Sequence, residues 1–414
     1  MTRNACVVAK LVLLLVVLSA VVWGAGGEEP DAKRLVRHYL DQTAENPKAT
    51  EGWVRLSEAY LWLASDTGDL DQIANADSAV ASALALAPVD VPALNQLSRV
   101  RSAQHRFEDV LHIQRESIYY GLMNAESWGI VGDAYMDLGR YRSADSCYYA
   151  MFELDPDFGS LMRVARRMFD IGDYAEAVLY ANAAIDTAWR GNESHIRELA
   201  DAHVRLGRMK LSRGDLEWAM VWSDSSLAVV PGYGPALELR AVVHRLRGRF
   251  EQAKSLYRQL VDVSADPRFV SGLARVYAES GDDETADSLV HAASETYKRL
   301  LGRYPGIVRR SYIEFLLDWD RDVERAQQLA FKESRTRKDV NTYDLLAWAY
   351  YKNGNYNLAW SSIALALRRD AQHPKIIYHA AVIAKAAGKR DEYLTYSARI
   401  REMNRRYEAM YGSL

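Results

Sequence analysis

Three aspartates at alternate positions are the first residues whose types and spacing could do chemistry. Asp318, Asp320 and Asp322 lie in the segment LDWDRDVE, and alternate carboxylates supply the first oxygen ligands of a calcium-binding loop. Such a loop also needs a glycine at its sharp turn and a glutamate that holds the ion through both oxygens. Val323 and Leu329 occupy those two positions here. The spacing therefore predicts a turn between helices, with a weak cation site as the alternative.

Histidines and sequence motifs give no further candidate for catalysis. His195 and His203 share a predicted helix, but no cysteine or third ligand lies near them in the sequence, so a helix surface explains them better than a zinc site. The sequence holds no GxGxxG, phosphate-loop, GxSxG or HExxH pattern. We therefore expect no catalytic residue, no metal, no cofactor and no enzymatic activity.

The composition favours a packed helical protein whose partner is another protein. Apolar residues make up 49% of the chain and charged residues 26%, which suffices for a large core and is too apolar for disorder. The formal net charge of −3 provides no overall attraction for nucleic acid or an anionic membrane surface. We expect a protein or peptide partner and no nucleic acid.

The N-terminal segment differs from the rest of the chain. Arg3 and Lys10 precede an apolar run from 11 to 22, and small residues and two glutamates follow. This order is typical of a secretory signal peptide, and the apolar run is short of the roughly 20 residues that a membrane span requires. We expect export to the periplasm or the exterior of a bacterial cell, with an uncleaved membrane anchor as the alternative. Cys147 then remains as a single cysteine without an internal disulfide partner.

A repeating unit organises the rest of the sequence. Its clearest copy spans 125–158 and reads AESWGIVGDAYMDLGRYRSADSCYYAMFELDPDF. Gly132 is a small residue at its eighth position, Gly139 ends its first helix, Ala144 lies at the helix crossing and Pro156 closes the unit. Together with its tryptophan and tyrosines, this pattern resembles the tetratricopeptide repeat of about 34 residues.

Three tracks of small residues recur in register with this unit, mostly at spacings of 33 or 34 residues. The helix-ending glycines are Gly139, Gly172, Gly214, Gly248, Gly281, Gly354 and Gly388. The crossing alanines are Ala144, Ala177, Ala219, Ala253, Ala286, Ala326 and Ala359. The eighth-position residues are Gly132, Ala165, Gly207, Ala241, Ala274, Ala347 and Ala381. The resemblance implies an all-α fold: a right-handed α-α superhelical solenoid of about ten helix-turn-helix repeats.

The resemblance also implies a layout without a separate catalytic domain. We expect a signal peptide at 1–26, a capping helix at 28–49, the solenoid at 50–405 and a C-terminal tail at 406–414. The repeats are expected at 50–90, 91–124, 125–158, 159–191, 192–233, 234–266, 267–302, 307–339, 340–373 and 374–405. The first repeat carries extra residues near 65–71, and the second lacks its glycine.

In the tetratricopeptide repeat family, fixed positions of each first helix line the concave groove. In this sequence several of those positions hold arginines. The ninth position holds Arg99, Arg166, Arg208 and Arg275, and the sixth holds Arg163 and Arg205. The resemblance thus implies a cluster of Arg163, Arg166, Arg205 and Arg208 on neighbouring helices, suited to an acidic peptide segment or a free C-terminus. In the alternative reading, these arginines pair with Asp170, Asp201 and Glu198 inside the solenoid.

Three functions remain open at this stage. An exported protein-interaction scaffold is the leading hypothesis. An envelope receptor for a peptide or a glycan is the first rival, and an accessory subunit of an envelope enzyme complex is the second. Glycan binding requires exposed aromatic residues in the groove, whereas aromatics such as Trp128, Tyr135 and Tyr356 lie at repeat positions that predict packing between helices.

Overall fold

The computed structural model describes residues 32–190, 196–319, 321–369 and 372–414. The expected signal peptide, His195 and Asp320 lie outside these ranges. Every regular element of the described residues is an α-helix. The helices are α1 (Ala32–Glu45), α2 (Thr50–Thr67), α3 (Asp71–Leu86), α4 (Val91–Ala103), α5 (Phe107–Tyr119), α6 (Ala125–Asp137), α7 (Tyr141–Leu154), α8 (Phe158–Asp170), α9 (Tyr174–Arg190), α10 (Ile196–Ser212), α11 (Leu216–Val229), α12 (Gly234–Leu246), α13 (Phe250–Val263), α14 (Pro267–Glu279), α15 (Asp283–Arg303), α16 (Pro305–Asp318), α17 (Val323–Thr336), α18 (Val340–Lys352), α19 (Tyr356–Leu367), α20 (Pro374–Ala386), α21 (Arg390–Met403) and α22 (Tyr407–Tyr411).

The helices from α2 to α21 form ten consecutive antiparallel pairs that stack into an α solenoid. Each second helix packs between its own first helix and the first helix of the next pair. First helices also contact the first helices of neighbouring pairs along most of the array, whereas second helices contact mainly first helices. The first helices, here called inner helices, therefore line the concave face, and the second helices, here called outer helices, form the convex face.

The predicted small-residue tracks are confirmed as close contacts between helices. The crossing alanines are buried, and six of the seven have no exposed surface at all. At Gly132 an added Cβ would lie 2.5 Å from the Cε1 atom of Tyr148 on the outer helix of the same pair. Small residues at these positions let the helices of a pair approach closely enough for the larger side chains to interdigitate.

Several parts of the chain depart from the expected repeat. The extra residues of the first repeat do not form a loop alone, because α2 continues to Thr67 before it ends at Gly68 in the left-handed conformation. His105 takes the place of the missing glycine, with a φ of 56°. The expected core residue Tyr356 is 43% exposed, so that prediction was wrong. Tyr356 is the first residue of an outer helix, and its partly exposed ring lies 5.9 Å from the ring of Tyr351 near the end of the preceding inner helix.

The C-terminal residues 406–414, expected as a tail, contain the short helix α22. Tyr407 of α22 is buried, and its ring lies 6.4 Å from the ring of Tyr378 on the last inner helix. Tyr411 also contacts Tyr378, with ring centroids 5.6 Å apart. The last inner helix is thus covered by aromatic side chains that follow it in the chain.

The solenoid coils so tightly that its two halves touch. The first superhelical turn comprises the pairs from α2 to α11, and the second comprises the pairs from α12 to α21. Hairpin loops within pairs of the first turn contact segments between or after pairs of the second turn, over sequence separations of 192 to 202 residues. We call this line of contacts the seam. It includes hydrogen bonds from Ala265 N to Thr67 O (2.7 Å), from His105 Nδ1 to Gly306 O (2.9 Å), from Gln372 N to Asp170 O (3.3 Å) and from Asn404 Nδ2 to Ser212 O (2.9 Å).

The third of the five seam contacts is a buried network of charges. Arg337, in a linker of the second superhelical turn, donates a hydrogen bond of 2.6 Å to Asp137 at the end of α6. The side chain of Arg337 is only 6% exposed and also lies 3.4 Å from Asp339 and 3.9 Å from Glu333. Arg310 adds a second cation at 2.7 Å from Asp339. Charges buried in this way must stay paired, so the network holds the two turns in one register.

Candidate functional site

Inner helices of the first superhelical turn carry the candidate arginines. α8 begins at Asp157, whose carboxylate accepts a hydrogen bond of 2.8 Å from the backbone of Ser160. Ala165 lies buried on the side of α8 that packs against the solenoid. Arg163 and Arg166 lie three residues apart and therefore share one face of α8, next to the cavity described below.

A cavity of about 380 Å³ lies inside the first superhelical turn, and we call it the central chamber. Its arginines are Arg163 and Arg166 of α8 and Arg197 and Arg205 of α10. Its carboxylates are Asp133, Glu198 and Asp201, and its aromatic residues are Trp62, Phe158 and Tyr233. The chamber thus combines charge and flat apolar surface, which is the chemistry of a peptide-binding or ligand-binding site.

Arg163 is the most firmly held of these arginines. Its Nε donates a hydrogen bond of 2.8 Å to Asp133, which also accepts one of 2.8 Å from the hydroxyl of Tyr148. The guanidinium lies against Gly129, where an added Cβ would be 2.9 Å from its Cζ atom. Burial raises the pKa of Asp133, but the charges of Arg163 and Arg166 outweigh burial and hold the pKa below its usual value. Asp133 is therefore the internal partner that fixes Arg163.

Arg166 is the least firmly paired. Its closest ion pair is with Asp170 on the same helix, at 4.0 Å, which is the limit of an ion pair. Burial lowers the pKa of Arg166, but Asp170 and Asp137 outweigh this effect and raise it above its usual value, so the guanidinium stays charged. Burial raises the pKa of Asp170 in turn. Arg166 therefore presents a charged guanidinium to the chamber without a close carboxylate.

The two arginines of α10 differ in their surroundings. Arg205 pairs with Asp201 one helical turn away, at 2.5 Å, and both side chains are more than one-third exposed. Arg197 forms an ion pair with Asp66 of α2, and its guanidinium lies over the rings of Trp62 at 5.7 Å and Tyr233 at 5.6 Å. Arg197 therefore joins the first, fifth and sixth pairs across the chamber.

The sequence reasoning missed Arg197, Trp62 and Tyr233. Trp62 is the thirteenth residue of α2, a groove position of the resembled family, so the repeat register contained a signal for it. Arg197 lies on an additional N-terminal turn of α10, before the first residue that the repeat pattern defines. Tyr233 lies in the linker before α12. No repeat position marks these two residues.

The other candidate arginines do not line the central chamber. Arg208 pairs with Glu238 of the next inner helix at 2.8 Å, and Arg99 pairs with Glu126 at 2.5 Å. Arg275 lies 3.1 Å from Asp318 and stacks over Trp319. The structure therefore brings Arg163, Arg166 and Arg205 together and places the other three in ion pairs elsewhere along the concave face.

The remaining candidate chemistry is accounted for by helix ends and packing. Asp322 caps α17, with its carboxylate accepting a hydrogen bond of 3.0 Å from the backbone of Arg325. The expected position of His203 on a helix surface was wrong, because its side chain is buried and stacks on Trp222. Burial lowers its pKa to about 4. Across the ranges that the structure covers, no three histidine, cysteine or acidic side chains converge as metal ligands. In the same ranges no helix combines the length and apolar character needed to cross a bilayer.

The comparisons with known proteins agree with this architecture. Residues 125–158 match the family model described as tetratricopeptide repeat, and the same helix pair recurs along the described chain. The chain therefore contains a tetratricopeptide repeat at 125–158 within a solenoid of similar helix pairs. No curated protein sequence matches it significantly.

Two solved structures have a solenoid fold similar to that of this chain. One is the Cut9–Hcn1 hetero-tetramer of the APC/C, with 13% identity, 85% of this chain and 59% of that chain covered, and a TM-score of 0.51. This chain thus spans about three-fifths of that neighbour's length. Another is the human IFIT1 dimer with m7Gppp-AAAA, with 13% identity, coverages of 82% and 77%, and a TM-score of 0.51. At this identity the likeness concerns the fold alone. The tetratricopeptide repeat at 125–158 supports a role in protein interaction.

Proposed function

We propose that this tetratricopeptide repeat protein is an exported interaction scaffold that binds an acidic segment or free C-terminus of a partner protein in the central chamber. The observation that carries the proposal is the position of Arg166. Its guanidinium borders the chamber and has its nearest ion-pair partner only at 4.0 Å. A ligand carboxylate at hydrogen-bonding distance offers Arg166 a closer partner than the protein does.

The existing ion pairs of the chamber present a small barrier to such a ligand. The side chains of Arg166 and Arg205 are 41% and 49% exposed, and their partners Asp170 and Asp201 are 33% and 37% exposed. Ion pairs with this exposure contribute about 0–1 kcal/mol to stability. An incoming carboxylate that accepts two hydrogen bonds from one guanidinium recovers at least as much.

The proposed export depends on the N-terminal 26 residues, and the cysteine content of the chain is compatible with it. Once those residues are removed, Cys147 is the single cysteine, and it is buried. Burial raises the pKa of its thiol to about 11, which keeps it in the unreactive form. Such a chain folds without disulfides and resists unwanted thiol exchange outside the cytoplasm.

The aromatic residues of the chamber favour a small-ligand receptor as a second candidate. Trp62 and Tyr233 line the chamber, and flat rings of this kind bind sugars and peptide side chains. However, the guanidinium of Arg197 already lies over both rings, at 5.7 and 5.6 Å. A glycan would have to displace Arg197 from its ion pair with Asp66, and an acidic peptide would not.

Affinity purification from the native cell envelope tests the proposal. The wild type is compared with Arg166→Gln and with the matched control Arg208→Gln, which removes a guanidinium from an inner helix but outside the chamber. We expect a discrete partner with wild type and control, weakened about tenfold or more by Arg166→Gln, because a charge-assisted pair contributes about 1.5–3 kcal/mol. A synthetic peptide of the captured segment then gives the affinities directly by fluorescence anisotropy.

Each outcome of this experiment separates the candidate functions. Equal recovery of the partner by all three proteins places its binding outside the chamber and contradicts the proposal. Recovery of cell-wall fragments instead of a protein favours the receptor. An enzymatic activity that co-purifies with wild type identifies an accessory subunit.

A further inference from the structure

The last contact of the seam brings positive charges together from two distant parts of the chain. Asn404, which follows α21, donates a hydrogen bond of 2.9 Å to the backbone oxygen of Ser212 at the end of α10. The chain after Asn404 stays close to the hairpin loop, since an added Cβ at Gly214 would lie 3.3 Å from the Cβ of Arg406. An open recess of about 690 Å³ lies at this contact. Its cations, here called the basic cluster, are Lys210, Arg213, Arg405 and Arg406.

Aromatic rings hold the two cations that belong to the first superhelical turn. The Nζ atom of Lys210 lies 5.2 Å from the ring centroid of Tyr174 and 5.9 Å from that of Trp218. The guanidinium of Arg213 lies 4.8 Å from the centroid of Tyr174. A cation over a ring is positioned by electrostatic attraction to the ring face, which leaves its N–H donors available for an anion.

Carboxylates of the protein do not neutralise the basic cluster. Across the described ranges, no carboxylate forms an ion pair with any of its four side chains. Asp215 and Glu402 border the same recess, and Asp215 caps α11 by accepting a hydrogen bond of 3.2 Å from the backbone of Trp218. Four cations therefore face two carboxylates, and the recess has a net positive charge. Repulsion between the cations opposes the seam contact unless an anion lies between them.

We infer that the basic cluster binds a small phosphate-bearing ligand, which bridges the two superhelical turns. A carboxylate offers one charge on two oxygens, too few for cations that come from two segments. A phosphate group carries a charge of about −1.5 to −2 and three acceptor oxygens, and a guanidinium can donate two hydrogen bonds to it at once. The recess is separate from the central chamber, so this site does not depend on the partner proposed there.

Calorimetric titration of the full chain with inorganic pyrophosphate measures the binding directly. One double variant neutralises the first-turn half of the basic cluster, and another neutralises the half that follows α21. The matched control removes two exposed cations from the hairpin loop of the last pair, at the opposite end of its helices. The three double variants are Lys210→Gln with Arg213→Gln, Arg405→Gln with Arg406→Gln, and the control Lys389→Gln with Arg390→Gln.

Both halves of the basic cluster should be required. We expect pyrophosphate to bind to the wild type and to the control alike, and each cluster variant to weaken binding about tenfold or more, because charge-assisted hydrogen bonds are lost. Circular dichroism confirms that each variant is folded. The affinity for the wild type should also fall as the salt concentration rises.

Glu402→Gln gives a test that does not rely on a loss of binding. It removes an exposed carboxylate from the recess and leaves all four cations in place. We expect the affinity for pyrophosphate to rise about two- to fivefold. An unchanged or lower affinity in this variant would contradict the inference.

The remaining outcomes also overturn the inference. A wild type that does not bind pyrophosphate would exclude the site, and a loss confined to one half of the cluster would exclude a bridge between the turns. Citrate that binds as tightly as pyrophosphate would show that charge alone is recognised. Binding only to single-stranded DNA, or only to vesicles that contain phosphatidic acid, would replace the small ligand by a nucleic acid or a membrane surface.

Discussion

His105 and Gly306 lie 201 residues apart, and the Nδ1–H of the imidazole donates a hydrogen bond of 2.9 Å to the glycine carbonyl. His105 occupies a hairpin loop where other pairs have glycine, and it adopts the left-handed conformation that glycine favours. Its ring also stacks on Phe107, with centroids 5.6 Å apart. This contact between the superhelical turns thus stabilises His105 in a left-handed conformation that is unfavourable for residues other than glycine.

The glycines of the hairpin loops fall into two groups that a single substitution distinguishes. Gly139 and Gly248 have φ values of 73° and 70°, but an added Cβ meets Lys338 at 2.3 Å in the first case and open space in the second. We expect Gly248→Ala to cost about 1 kcal/mol for the left-handed backbone. Gly139→Ala should cost about 2 kcal/mol more, because the seam must separate. Urea unfolding of the two variants measures the difference, and equal losses would contradict the seam contact.

The position of His105 in the seam predicts that the stability of the fold depends on pH, through protonation of the His105 imidazole. Burial and the charges of Arg337 and Arg310 lower its pKa to about 4, although the hydrogen bond to Gly306 and the charge of Asp339 oppose them. The unfolded chain takes up the proton near pH 6.5, whereas the folded chain does not, so stability should fall as pH drops from about 6.5 to about 4. The contribution of His105 is at most about 3 kcal/mol.

His105→Asn isolates this contribution, because asparagine tolerates the left-handed conformation and does not titrate. Chemical denaturation at pH 7 and pH 4.5 should show a smaller loss of stability in the variant than in the wild type. His203 and His373 also have pKa values lowered to about 4 by burial, so both proteins retain part of the pH dependence. Identical losses in the two proteins would argue against the assignment to His105.

Arg337 should contribute far more to stability than a surface arginine with an equally short ion pair. Arg337→Met leaves Asp137, Glu333 and Asp339 with one cation fewer in a buried site, which costs about 3–5 kcal/mol. Arg321→Met is the control, since Arg321 pairs with Asp287 at 2.7 Å but both side chains are more than half exposed. The control should cost about 0–1 kcal/mol. Thermal unfolding of both variants checks the difference, and a loss below about 1 kcal/mol for Arg337→Met would contradict the buried network.

Asp133 competes with any acidic ligand for Arg163, so its neutralisation should improve binding. Asp133→Asn keeps an acceptor for the hydroxyl of Tyr148 but removes the charge that pairs with Arg163 at 2.8 Å. We expect an affinity for the captured acidic peptide about three- to tenfold higher, in line with about 1 kcal/mol for such a pair. Asp224→Asn, next to Arg240 on the convex side, is the control and should change nothing. An unchanged or lower affinity for Asp133→Asn would count against Arg163 as a ligand-binding residue.

The repeat pattern predicts the local architecture well, because each small residue reports a contact within a pair or between neighbours. Ala144 and Gly132 mark such contacts, and both lie where the register places them. The arginines on the sixth and ninth positions of α8 likewise lie on the concave face. A residue's position in the repeat therefore predicts its contacts within its own pair and with the adjacent pair.

The seam is not encoded in this way. Gly139 and Gly248 occupy the same repeat position, yet only Gly139 touches another superhelical turn. That difference depends on the pitch of the superhelix, which accumulates from small rotations between many pairs and has no motif of its own. Arg337 reads as a residue of a degenerate linker in the sequence, and only the contact with Asp137 reveals its role. Tyr233 and Arg197 were missed for the same reason, since linkers and helix extensions lie outside the repeat register.

Repeat arrays usually gain and lose units freely, because each unit contacts only its neighbours. Here every hairpin loop of the first superhelical turn is matched to one particular linker of the second. Deletion of one whole unit between them would shift the partners by one place, so that His105 would face the linker of Arg337 instead of Gly306. The number of repeats between α2 and α21 therefore cannot change without breaking the contacts of the seam. An additional unit beyond α21 would leave these partners in place and would meet the unoccupied loop at Gly248.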